Sequence, residues 1–172
     1  MRNKTYDLVF CSIISVLSFI ALYFSAILAN FSLVAFAISI LILCVTVDEC
    51  GPRWGLISGI VVGLLGFIFM PNKMILLPYA LYFGYYPVLK LYIERINKIW
   101  IELILKVGSF SLAMLAVYAI ARLFIPANEI MDSPIYVMAG LLEVTFLLFD
   151  RAVTQNIALY RKYISKRIRK RK

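Results

Sequence analysis

The sequence predicts an all-α fold: a polytopic integral membrane protein whose six transmembrane helices form one bundle with both termini in the cytoplasm. Three observations predict it. The chain is 63% hydrophobic and only 16% charged, whereas soluble domains sit near ~45–50% apolar. Six apolar runs are separated by polar or helix-breaking residues. Of the 18 Lys and Arg residues, 15 fall in the segments that an inside amino terminus would place in the cytoplasm, and only Lys73 falls in an outside one. That bias is what the positive-inside rule requires. All 172 residues then make a single transmembrane domain.

The first run, residues 8–29, is about the ~20 residues needed to cross hydrocarbon. It exceeds the ~7–15 residues of a signal-peptide core, so it is read as a retained span. Ser18, Ala21, Ser25 and Ala29 form a small-residue stripe along it. Asn30 begins a tight turn, and residues 31–47 make the second span. The segment 48–54, Asp-Glu-Cys-Gly-Pro-Arg-Trp, is a polar connection with Gly-Pro as breaker.

Residues 55–70 and 74–89 are the third and fourth spans, joined by the hairpin Pro71-Asn72-Lys73. The third carries Gly55, Gly59 and Gly63 at four-residue spacing. In lipid, where apolar surface gives helices no drive to pair, such a bare face lets backbones approach closely. The fourth is large, aromatic and interrupted. Tyr79, Tyr82 and Tyr86 share a helical face, while Pro78, Gly84 and Pro87 break the regular helix. A smooth packing helix beside a broken tyrosine helix points to the interior of a binding protein.

Residues 90–98 are a charged connection, 99–125 a fifth span long enough to tilt, 126–134 a polar loop and 135–149 the sixth span. A basic cytoplasmic tail, 150–172, supplies most of the net charge of +9. The tail reads as an anchor to anionic lipid headgroups, each charge contributing ~1 kcal/mol, and not as a nucleic-acid arm.

Several residues are candidates for chemistry. Glu143 lies about halfway along the sixth span, where an ionisable group costs at least ~2.5–3.5 kcal/mol and must face protein or water. Arg122, near the outer end of the fifth span, is its natural partner. The pair reads either as a ligand contact or as a structural bridge between helices. Glu102 and Lys106, four apart, read as a structural helical pair that snorkels to the cytoplasmic boundary. Tyr79 and Tyr82 lie too deep for the interface, so each phenol needs a partner. They read as ring-stacking contacts to a flat small molecule or as ordinary packing. Asn72 joins these at the outer end.

The composition also excludes chemistry. The chain has no histidine, so zinc sites of the usual kinds and histidine-based acid–base catalysis are ruled out. Cys11, Cys44 and Cys50 have no metal-ligand spacing. There is no Gly-rich phosphate loop and no Ser-centred Gly-x-Ser-x-Gly. No enzyme, no metal and no cofactor are expected.

Six spans in so short a chain, both termini inside and an apolar small-residue first helix resemble the substrate-binding S components of energy-coupling factor transporters. In that family the first helix carries an Ala-x-x-x-Ala pattern that docks onto a transmembrane coupling subunit. The matching positions here are Ala21 and Ser25, or Ser25 and Ala29, neither a double alanine. The Glu-Cys-Gly segment, the Pro-Asn-Lys hairpin and Phe-Gly-Tyr-Tyr-Pro also look like uncharacterised small membrane proteins of Gram-positive bacteria. The resemblance implies a cell-membrane protein that binds a vitamin-like molecule through Tyr79, Tyr82, Arg122, Glu143 and Asn72. It also implies a coupling subunit and two ATPase subunits as partners, besides membrane lipids. The competing reading is a non-transporting structural or assembly protein of the bacterial membrane.

Overall fold

A computed structural model describes residues 4–27, 32–71, 73–96, 98–124, 135–160 and Lys162. The described residues are helical, with no strand among them. The order is α1 (Lys4–Ile27), α2 (Ser32–Cys50), α3 (Pro52–Phe69), α4 (Lys73–Pro78), a π-helical turn (Tyr79–Phe83), α5 (Tyr86–Glu94), α6 (Ile99–Phe124) and α7 (Ile135–Tyr160). Three stretches are long and apolar enough to cross a membrane: Thr5–Ile27, Pro52–Phe69 and Ile99–Arg122. Large apolar side chains point outward on every long helix, among them Ile13, Leu64, Ile104, Leu112 and Leu148. A water-soluble monomer rarely exposes apolar area on this scale, whereas a lipid-facing surface requires it.

Helices α1, α2 and α3 pack as a tight trio. Between α1 and α2, Ser18 and Ser39 are both fully buried. Each hydroxyl donates to the other's carbonyl, at 2.9 and 2.8 Å. Helix α3 starts where Gly51, at φ 93°, turns the chain and Pro52 occupies the first turn, where its missing N–H costs nothing. The glycines of α3 then do what their spacing predicts. A Cβ on Gly55 would lie 2.2 Å from Cγ2 of Val47, and one on Gly59 would lie 2.0 Å from the carbonyl oxygen of Gly84. Gly63 is looser, with Tyr79 Cε1 at 3.8 Å.

The segment after α3 is broken as its prolines require. Pro78 ends α4, a single wide turn comes next with Gly84 N donating to Tyr79 O at 2.7 Å, and Pro87 opens α5. Pro87 has no N–H for the carbonyl four residues back and its ring crowds that carbonyl, so helix cannot run unbroken through Gly84.

This broken segment joins two cores. Tyr79 packs with Leu22, Leu43, Val62, Met70 and Leu76 of α1 to α4. Tyr82 and Tyr86 belong to the other, with Ile40, Phe110, Phe146 and Val153 of α2, α6 and α7. Two helices outrun their apolar stretches: the residues expected to open a loop at Lys90 and a tail at Asp150 are helical, in α5 and α7.

Candidate functional site

An apolar cavity of about 650 Å³ lies between α2, the broken segment, α6 and α7, within the ~300–1,000 Å³ typical of small-molecule sites. Five phenylalanines line it: Phe36, Phe83, Phe110, Phe146 and Phe149. Phe110 and Phe146 are stacked, centroids 4.2 Å apart and planes within 4°. The lining has two side-chain hydroxyls, and both are committed to helix carbonyls. Ser25 donates to Leu22 O at 2.6 Å and Thr145 to Leu141 O at 2.8 Å. The cavity therefore presents aromatic faces and methyl groups, with no hydroxyl hydrogen left for a ligand.

The predicted ligand residues are distributed differently. Tyr79 and Tyr82 are fully buried, but in separate cores. Tyr79 donates to Gly59 O at 3.4 Å, and Tyr82 shares a 3.2 Å hydrogen bond with Ser109. Packing and internal partners thus occupy both phenols. Glu143 accepts a 2.6 Å hydrogen bond from Ser111, and the Arg122 guanidinium lies 5.2 Å over the Tyr118 ring. The expected Glu143–Arg122 pair is not among the ion pairs of the described residues. None of these four side chains lines the apolar cavity. Asn72 lies outside the described residues.

On the first helix, Ser25 is buried within the chain and Ala21 is half-buried. Ala29 lies outside the described residues.

A cluster of charges forms a second centre that no local sequence pattern assembles. Asp150 of α7 takes Lys106 of α6 on Oδ2 at 2.7 Å, and Lys90 of α5 on Oδ1. Tyr86 donates to the same Oδ1. Lys90 also reaches Glu94 Oε1 at 2.8 Å and Thr154 Oγ1 at 2.7 Å, while Lys106 reaches Glu94 Oε1 at 3.4 Å. Lys90 is 2% exposed, and Lys106 and Asp150 are 7% each. Three helices are thereby tied at one level. The helical spacing predicts Glu102 as the partner of Lys106; its partners are Asp150 and Glu94, because the packed helices bring those carboxylates to it.

The signals for this cluster are present in the sequence but indirect. Lys90 sits four residues before Glu94, and Lys106 and Asp150 each stand at the edge of a long apolar run. Beyond it, Tyr160 donates to Glu49 at 3.3 Å and ties α7 to the end of α2. Burial first, then that carboxylate, pushes the Tyr160 phenol above its ordinary value. A polar cleft of about 420 Å³ opens beside the cluster, between α2, α5 and α7.

Comparison of the chain with family models, with curated proteins and with solved structures finds no match in any of the three.

Proposed function

We propose that the chain crosses the membrane six times with both ends in the cytoplasm, and that it serves as a small-molecule-binding subunit. Its nearest functional likeness is to the S components of energy-coupling factor transporters. In this reading α4, the π turn and α5 together make the fourth crossing, and a separate coupling subunit with its ATPases supplies the energy. The apolar cavity carries the proposal. A five-phenylalanine lining with its hydroxyls consumed internally suits a flat or chain-like, largely apolar vitamin-like molecule. A ligand rich in polar groups would lose its hydration there without replacement. The ligand residues are then Phe36, Phe83, Phe110, Phe146 and Phe149 in place of the tyrosines. Docking to a coupling subunit through the first helix would have Ala21 available but not Ser25, which is buried within the chain.

The test is extraction of detergent-purified protein followed by mass spectrometry of the released small molecules. Wild type should carry a specific apolar compound, and Ala37→Trp and Met114→Trp, which fill the cavity, should lose it while keeping the thermal stability of the wild type. The same complement of compounds from all three proteins would refute the site. It would favour the second reading, a structural or assembly protein, for which the internal commitment of Tyr79, Tyr82 and Glu143 speaks.

A further inference from the structure

The buried part of the charge cluster is not neutral. Lys90 and Lys106 face Asp150, two cations against one carboxylate, all three at most 7% exposed. Glu94 supplies the missing negative charge, and it does so from the edge. Its side chain is 38% exposed, and only Oε1 engages the lysines, at 2.8 and 3.4 Å. Burying ions where apolar side chains would fit is not by itself a stabilising device, because desolvation offsets the attraction.

Glu94 also stands on the wall of the 420 Å³ cleft, together with Lys90, Arg95, Asp48, Thr154 and Cys44. The Arg95 guanidinium lies 5.5 Å over the Tyr92 ring, and no carboxylate among the described residues pairs with it. Asp48, on the α2 side, has interactions of its own. With Glu94 turned aside, Lys90, Lys106 and Arg95 would face Asp150 and Asp48, three cations against two carboxylates. The cleft would then be one anion short.

We propose that this cleft is a binding site for a small anionic group, a carboxylate or phosphate, and that Glu94 is its internal stand-in. The anion enters through the cleft, takes the place of the Glu94 carboxylate against Lys90 and meets Arg95 at the mouth. Charge-assisted bonds from a lysine and an arginine are the usual means of holding such groups. The site is separate from the apolar cavity and stands whether or not that cavity holds a ligand. The plain alternative is that Lys90 and Glu94 are an ordinary helical pair four residues apart.

The test is chemical rescue in the full chain. Glu94→Gln keeps the size of the side chain and removes its charge, leaving the buried cations undercompensated. In chloride its unfolding temperature should fall by several degrees. Sodium phosphate or acetate at matched ionic strength should restore it saturably, with a smaller effect on wild type. Adding Arg95→Gln should raise the phosphate concentration needed by about fivefold or more, as loss of one charge-assisted contact implies. Recovery by free phosphate in phosphatidylcholine nanodiscs would identify a soluble anion. Recovery in phosphatidylglycerol nanodiscs without phosphate would identify a lipid headgroup. If Glu94→Gln yields folded protein only when purified in phosphate or acetate, the site is supported. A Glu94→Gln protein as stable as wild type in chloride, or a destabilised one that no anion recovers, would overturn the proposal.

Discussion

Gly59 of α3 and Gly84 of the broken segment meet backbone to backbone: a Cβ on Gly59 would lie 2.0 Å from the Gly84 carbonyl oxygen. Neither helix can yield there without moving a main chain. Gly59→Ala should therefore cost at least the ~1–3 kcal/mol typical of overpacking. Gly63→Ala, whose new methyl would meet Tyr79 at an ordinary 3.8 Å, and Val61→Leu at a 38% exposed site should both be tolerated. Thermal unfolding in detergent orders the three variants. A Gly59→Ala protein as stable as the other two would mean that the helices do not pack as described.

Asp150 balances two lysines from two other helices. Asp150→Asn should lower stability by about 3–5 kcal/mol, the usual cost of leaving buried charge without its partner. The triple change Asp150→Leu, Lys90→Met, Lys106→Met removes three of the buried ions together and should be milder than the single change. Denaturation midpoints of the two proteins decide it. A triple variant worse than Asp150→Asn would show that the ions contribute more than their mutual neutralisation.

Glu143 and Arg122 have separate partners, Ser111 and Tyr118. Glu143→Gln keeps an acceptor for the Ser111 hydroxyl and should cost less than about 1 kcal/mol. In a double-mutant cycle with Arg122→Gln, the coupling should stay within the ~0.3–0.5 kcal/mol expected of independent sites. Rescue of Glu143→Gln by the second change would put the two side chains in contact after all.

For the proposed topology, single cysteines at the exposed positions Lys73 and Lys98 should behave oppositely. A membrane-impermeant maleimide should label position 73 in intact cells and position 98 only after lysis. The native thiols of Cys11, Cys44 and Cys50 are buried and should leave a low background. Labelling of position 98 from outside would reverse the orientation.

How far the sequence discloses this structure depends on the range of the contact concerned. The third span, expected over 55–70, is the helix Pro52–Phe69, because the Gly-Pro breaker and the glycine stripe act locally. The interruption at Pro78, Gly84 and Pro87 is equally plain, since proline acts on the turn that contains it. The partners of the charges are not legible in this way. Lys90 and Asp150 stand 60 residues apart and Lys106 and Asp150 stand 44 apart, and hydropathy, which ends a span at the first charge, assigns all but Lys106 to loop or tail. The tyrosine face misleads in another way. Its spacing places Tyr79 and Tyr82 at one site, but the segment carrying them runs between two cores and gives one ring to each.

The single wide turn at Tyr79–Phe83 has a consequence for what this chain can lose. A π turn accommodates one residue more than an α turn, and each residue of an α-helix rotates the rest of the helix by about 100°. Excising Leu81 would relax the turn to ordinary helix and leave every side chain type downstream unchanged. It would also swing Lys90 about a quarter of a revolution away from Asp150, and Gly84 away from Gly59. The segment is thus a phase adjuster that keeps two distant sets of contacts in step. Between Pro78 and Lys90 the number of residues is as constrained as the identity of any one of them.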